Sequence, residues 1–257
     1  MTVSASLIRQ IEEASFSAWP SLAQVLDDGW VLRFSKGHSM RANSVNPNYP
    51  ALGDTDAKIA RAESWYSAHR LPPLFRLTPL ADPSDLDQRL DARGYRLINP
   101  GDAFYLASLG VQAAPTLLPE NITVKLDAGP HDGWLQAYLA MAQLETGRAA
   151  ALGRVLDAVV PTARYGWLSQ DGQPLAAAFA VVQGTMMVTC NVITAPAARR
   201  RGLMRALLGR LTGWAIEEGA TAGGLFVVGS NKGAAALYRS LGYEELYRYH
   251  YRIAPSS

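Results

Sequence analysis

The amino-acid sequence predicts an α/β (α+β) protein made of two related halves. Apolar stretches with strand and helix periodicity alternate along its 257 residues. Near the middle they are interrupted by "VQAAPTLLP", a proline-bearing stretch with neither periodicity. The order of elements before this break is echoed after it. These observations set a first domain at residues 1–112, a linker at 113–119 and a second domain at 120–257.

In the first half, "GWVLRFSKGHSMRANSVNP" reads as extended chain. Its alternation puts Arg41, Asn43 and Val45 on one face and Ala42 and Ser44 on the other. A helix containing Trp65, the strand "LFRL" and a helix closing with "LDARGY" at Tyr95 follow. In the second half "NITVKL" is a strand, and helices are expected over residues 131–145 and 148–159. "RYGWLSQ", the turn "DGQP" and "LAAAFAVVQG" form a hairpin, which "TMMVTCNVI" extends. Leu203, Leu207, Leu211 and Trp214 recur at helical spacing, so they form one apolar face. "GGLFVV" is a buried strand, "NKGAAALYRSLGY" a helix, and "LYRYHYRI" a final alternating strand. The echo pairs "NSVNP" with "NVITAP", Trp65 with Trp214, "LFRL" with "LFVV" and "LDARGY" with "YRSLGY". Duplication is the simplest account of four elements in matched order.

With 49% hydrophobic and 18% charged residues the chain is not of the disordered class, and its net charge of +2 gives no broad field for nucleic acid or a membrane surface. Any anion site must be local. The N-terminus lacks a basic segment followed by an unbroken apolar run, and no stretch of about 18 apolar residues occurs. The expectation is a soluble, cytoplasmic protein. The single cysteine, Cys190, has no partner for a disulfide and reads as a small core residue. CxxC and HExxH are absent and the four histidines are scattered, with His38 in a turn, so no metal site is expected.

The local anion site is "TAPAARRRGLMRALLGRL", residues 194–211. A helix N-terminus exposes backbone N–H groups without intrahelical partners, and its dipole favours negative charge. Gly202 opens such a helix, and Arg199, Arg200 and Arg201 precede it. With the amides of Leu203, Met204 and Arg205 they make a cradle suited to a pyrophosphate. GxxxxGK[ST] and GxGxxG are both missing, which excludes the usual nucleoside-triphosphate and dinucleotide loops.

These residues resemble the GCN5-related N-acetyltransferase (GNAT) superfamily. Its acyl-CoA loop reads [Q/R]-x-x-G-x-[G/A], and Arg199, Gly202 and Met204 stand at the defining positions, Met204 departing from the usual small residue. A second match, N-x-x-A-x-x-L-Y-x-x-x-G-[F/Y], is filled throughout by Asn231, Ala234, Leu237, Tyr238, Gly242 and Tyr243. The resemblance implies two tandem GNAT-like domains, each a mixed, mostly antiparallel sheet flanked by helices, and an acyl-CoA-dependent N-acyltransferase, most commonly acetyl. Acetyl-CoA would be the acyl donor and a small-molecule or peptide amine the acceptor, with Tyr238 as general acid toward the CoA thiolate. Asn231 and Ala234 would border the pantetheine arm, and backbone groups of Val192, Ile193 and Thr194 would meet the arm and the acetyl carbonyl. For the base, two routes stand open: Glu145, or a chain of water. In the first half Leu90 occupies the place of Tyr238, and Asp54 and Asp56 stand where a phosphate would bind, so that half reads as degenerate. Arg41 and Asn43 are its candidates for contacting an acceptor carboxylate. The rival reading is a non-catalytic acyl-CoA-binding scaffold. Oligomeric state and acceptor identity have no signature in the sequence.

Overall fold

Backbone hydrogen bonding joins both halves into one continuous sheet. The computed structural model describes residues 4–112 and 117–255. Residues 113–116 of the expected linker lie outside the described residues. The first half contributes α1 (Ala5–Ala18), β1 (Ala23–Asp27), β2 (Trp30–Phe34), β3 (Val45–Asn46), α2 (Thr55–Ala68), β4 (Leu74–Leu77), α3 (Leu86–Ala92) and β5 (Arg96–Leu106). The second contributes β6 (Thr123–Asp127), α4 (Trp134–Ala142), α5 (Thr146–Asp157), β7 (Ala163–Gln170), β8 (Gln173–Gln183), β9 (Met186–Thr194), α6 (Leu203–Glu217), β10 (Ala222–Val228), α7 (Lys232–Ser240) and β11 (Glu244–Ile253).

The strand order is β1-β2-β3-β4-β11-β5-β10-β9-β8-β7-β6. Pairing is antiparallel except at two places, β3 with β4 and β9 with β10, which occupy matching positions in the two halves. The echo in the sequence is therefore an echo in topology. The last strands are exchanged: β5 runs between β10 and β11, and β11 runs between β4 and β5, antiparallel in every case. Sheet pairing thus crosses the boundary drawn at 113–119 more than once.

The core follows from the pattern of β8. Ala176, Ala178, Ala180 and Val182 face one side, where Leu207, Leu208, Leu211 and Trp214 of α6 pack on them. Ala177, Phe179 and Val181 face the other, against Ile11, Ala14 and Ala18 of α1 and Trp134 of α4. Strand periodicity puts successive residues on opposite faces, so a strand apolar throughout is covered on both. The Asp171-Gly172 turn before β8 has positive φ at both residues, +51° and +77°, as a tight hairpin requires. α1 lies on β8 and β9, so a helix of the first half covers strands of the second.

Two sequence expectations are corrected. The strand containing Val45 begins there, and residues 41–44 form turns, so the alternating face of Arg41 and Asn43 does not exist. The chain before it turns through Lys36, Gly37 and Ser39, all with positive φ, which breaks the extended run. The helices expected over 131–145 and 148–159 are Trp134–Ala142 and Thr146–Asp157, separated where Gln143 takes a left-handed conformation. Among the described residues, no helix is long and apolar enough to cross a membrane.

A buried ion pair fixes the exchanged strand. Glu12 of α1 and Arg76 of β4, each 1% exposed, pair directly, and the Tyr247 hydroxyl of β11 donates to Glu12. Arg76→Ala would leave the Glu12 carboxylate buried and unpaired, a change that costs about 3–5 kcal/mol. The expected outcome is a lower urea midpoint at unchanged slope, largely recovered in the double replacement Glu12→Gln/Arg76→Met.

Candidate active site

β9 and β10 pair for only three residues, Met186, Met187 and Val188 against Ala222, Gly223 and Gly224. Beyond them the two strands diverge, and a cleft of about 640 Å³ opens between residues 189–194 and residues 226–228. The edge of β9 that faces the cleft has no strand partner there, so its backbone groups are available to a ligand. A bulge adds to this. The β8–β9 register shifts between the Ala177–Ile193 and Phe179–Cys190 pairs, and Asn191 takes φ +49°.

One end of the cleft is the predicted cradle. A single 3-10 turn at Pro196–Ala198 leads into Arg200 and Gly202, both left-handed at φ +65° and +74°. A Cβ on Gly202 would meet no protein atom within 4 Å, so glycine is needed there for its backbone conformation rather than for space among neighbours. The first bond of the α6 ladder runs from the Ala206 N–H to the Gly202 carbonyl. The amides of Leu203, Met204 and Arg205 therefore precede the ladder, and the first turn carries no acid. Met204, which departs from the small residue of the motif, is buried with the core beneath α6 and also borders the cleft.

The arginines divide. Arg199 and Arg200 line the cleft. Arg201 is absent from its walls and instead donates from Nη2 to Gln170 Oε1 at 3.3 Å. Arg205 lines the cleft but donates to the Ser240 carbonyl at 3.3 Å and to Ser240 Oγ at 2.6 Å, which ties the start of α6 to the end of α7.

Across the cleft stands α7. Asn231 caps it, its Oδ1 accepting from the Ala234 N–H at 3.1 Å. Asn231, Ala234 and Tyr238 all line the cleft, as one helical stripe requires. Tyr238 is 5% exposed, against Phe104 and Tyr243 with ring centroids 6.3 and 6.1 Å away. Burial, seconded by Tyr243 and Cys190, pushes its phenol well above the usual tyrosine value, so it stays protonated across the physiological range.

Val192, Ile193 and Thr194, at the end of β9, also line the cleft. Glu145 does not: it is exposed at the N-cap of α5 and lines neither this cleft nor the cavity beside it. Asn43 is also set apart, since its Oδ1 accepts from the Ser35 and Gly37 N–H groups and its Nδ2 donates to the His38 and Ser39 carbonyls. Four bonds to the loop use its full capacity and leave nothing for a ligand. Arg41 does reach the cleft, its guanidinium between the rings of Trp19 and Phe226 at 5.8 and 5.7 Å.

A second cavity of about 320 Å³ shares Arg41, Asn191, Phe226 and Val228 with the cleft. Trp19, His38, Tyr138, Arg148, Tyr249 and Tyr251 complete much of its wall. Gly101 makes room for one of these, because a Cβ there would lie 2.6 Å from the Tyr249 ring. Sequence reasoning missed this cavity. Its wall is assembled from distant segments, of which only Arg41, as a candidate carboxylate contact, and His38, as a turn residue, had been singled out.

The matching place in the first half is filled. Asp54 caps α2 by accepting from the Ala57 N–H, and Asp56 pairs with Arg89 and Arg93. Past β3 and β4, the Asp82 N–H donates to the Pro47 carbonyl and the Asp82 carboxylate accepts from the Ala51 N–H. Leu90, at the position of Tyr238, is buried in an apolar core. Among the described residues no cluster of three or more His, Cys, Asp or Glu is gathered to hold a metal ion.

Comparison with known proteins agrees with this geometry. Residues 5–252 match the family model described as "Probable histone acetyltransferase Rv0428c C-terminal". The chain is 26% identical over 250 residues to the uncharacterized N-acetyltransferase YobR of Bacillus subtilis, covering 96% of this chain and 98% of that protein. It is 28% identical over 266 residues to the probable histone acetyltransferase Rv0428c of Mycobacterium tuberculosis, covering 99% and 76%. Among solved structures, a GCN5-related N-acetyltransferase from Kribbella flavida superposes with a TM-score of 0.71 at 20% identity, covering 100% of this chain and 97% of that one. A tandem GNAT protein from the clavulanic acid biosynthesis pathway gives 0.68 at 13% identity, with 96% and 88% covered.

Cys190 on the cleft wall is buried, and burial pushes its thiol up, against a smaller downward pull from Arg41. A thiol held protonated and covered reacts slowly. At pH 8 an aromatic disulfide reagent should label it only as the protein unfolds; labelling of the native protein at the rate of a free thiol would show an open wall.

Proposed function

Because the chain belongs to the GCN5-related N-acetyltransferase superfamily, within the family of the Rv0428c C-terminal region, we propose that it transfers acetyl from acetyl-CoA directly to a primary amine of a small molecule or peptide. The observation that carries this is the divergence of β9 and β10 between an acid-free helix N-terminus and a buried, protonated tyrosine. An extended pantetheine arm with its two amides suits an unpaired strand edge, which it can join as a further strand. Backbone groups of Val192, Ile193 and Thr194 serve that edge, and Asn231, which caps α7 through its Oδ1, lines the same cleft. The pyrophosphate sits on the amides of Leu203, Met204 and Arg205, flanked by Arg199 and Arg200. Arg201 adds positive charge to the rim.

In the reaction the neutral amine attacks the thioester carbonyl, the C–N bond forms and the C–S bond breaks. The Tyr238 hydroxyl gives its proton to the departing thiolate sulfur, and the proton shed by the new amide nitrogen restores it through solvent. Neither cavity wall carries a carboxylate. Of the two base routes, a chain of water is therefore better supported than Glu145. Cys190, covered and protonated, does not serve as an acyl carrier in this scheme.

Acetyl-CoA at 100 times its Kd should stabilise the native state by about 2.7 kcal/mol, visible as a raised unfolding midpoint that ATP does not reproduce. Tyr238→Phe should lower kcat at least about 100-fold while the acetyl-CoA Kd stays near the wild-type value. Arg199→Glu should do the reverse, weakening cofactor binding. Tight acetyl-CoA binding with no thiol release from any amine would favour the scaffold reading.

A further inference from the structure

The second cavity, beside the proposed acetyl site, has a chemistry of its own. Two guanidinium groups reach it, Arg41 and Arg148, and among the described residues neither forms an ion pair. Arg148 lies in the first turn of α5, where the helix dipole opposes a cation, and Glu145 at the N-cap of that helix forms no ion pair with it. Arg41 is fixed between Trp19 and Phe226. Both ring nitrogens of His38 are buried without a hydrogen-bond partner, although buried polar groups are nearly always satisfied. Burial and the charges of Arg148 and Arg154 hold this imidazole below its usual value, so it is neutral at pH 7. The remaining wall is largely aromatic, from Trp19, Tyr138, Phe226, Tyr249 and Tyr251. At about 320 Å³ the cavity lies at the small end of ligand sites, the size for one ring with short arms.

We infer that this cavity selects an acceptor amine that also carries a carboxylate and a single aromatic or apolar body, the chemistry of an aromatic amino acid. The inference rests on the acetyl-transfer reading of the adjoining cleft. The carboxylate meets Arg148 and Arg41, the ring lies among the aromatic side chains, and the amine points past Asn191 toward the thioester. The two arginines also disfavour an ammonium beside them, which lowers the amine pKa and supplies the neutral nucleophile without a carboxylate base. Polycations are repelled by the same charges.

The test compares matched twins, phenylalanine with phenethylamine and tyrosine with tyramine, alongside spermidine and a lysine-rich peptide. Thiol release is measured with acetyl-CoA, and binding by thermal shift of the protein saturated with CoA. The amino acids are expected to bind and to react with a KM about 10- to 100-fold below that of their decarboxylated twins, the range for a charge-assisted bond. Within the Arg148→Gln variant the KM of each amino acid should rise to that of its decarboxylated twin, a loss of discrimination that a merely structural role would not produce. Equal KM within each pair, preference for spermidine or the peptide, or no binding of either amino acid to the CoA complex would overturn the inference. If the inference alone fails, acetyl-CoA still raises the unfolding midpoint and another amine releases thiol. If acetyl transfer fails, no amine releases thiol, whether or not acetyl-CoA raises the midpoint.

Discussion

Backbone pairing between the halves is the constraint on which the rest of the structure depends. β10 reaches its own half's last strand only through β5, and β4 reaches β5 only through β11. Each half taken alone would expose unpaired strand edges, which proteins avoid strongly. The exchange therefore makes the halves interdependent, and it fixes the position of β10. β10 is held along its length by β5, from Gly223 opposite Leu106 to Val228 opposite Gly101. It is held by β9 at one end only. A strand anchored on one side throughout and on the other at three residues leaves a wedge, and the cleft is that wedge.

Helix placement then decides what the wedge can bind. α6 begins at the open end because the left-handed Arg200 and Gly202 turn the chain into it, so three free amides and two arginines converge where β9 and β10 part. α7 returns along the other wall and brings Tyr238 near the middle. The bond from Arg205 to Ser240 couples the two helices. The two features that the proposed transfer uses, an open helix N-terminus and a protonated tyrosine, are thus brought to one cleft by two coupled helices, and burial keeps the phenol protonated.

Local chemistry is what the sequence displays, and long-range pairing is what it hides. The face of α6 was legible because Leu203, Leu207, Leu211 and Trp214 recur at helical spacing, and all four are buried. Arg199, Gly202, Asn231 and Tyr238 were legible because each motif lies within a dozen or so residues. The exchange of β5 and β11 left no trace, since backbone hydrogen bonds do not depend on which side chain flanks them. Arg41 does line both cavities, although not by the alternation read over residues 41–45. Residues 41–44 are turns and bends that follow the positive-φ Lys36, Gly37 and Ser39, and Asn43 is spent on closing that loop. Glu145 was misjudged because the break between α4 and α5 fell at Gln143, which left the carboxylate outward while its neighbours Leu144 and Arg148 line the second cavity.

The division of labour between the halves explains why a half without its own cradle is kept. The cleft is built from the second half except for Arg41. The second cavity instead draws Trp19, His38, Ser39, Met40, Arg41 and Asn99 from the first half. In the first half, Asp82 is bonded to Pro47 and Ala51 past β3 and β4, and Leu90 is buried in an apolar core. The loop after β2 instead forms part of the wall of the neighbouring cavity. Its reach across the junction depends on the shared sheet and on α1, which lies against β9. On the proposed reading, a half without a cradle would still shape the acceptor site of the other, provided that the two cannot move apart. The exchanged strands supply that condition.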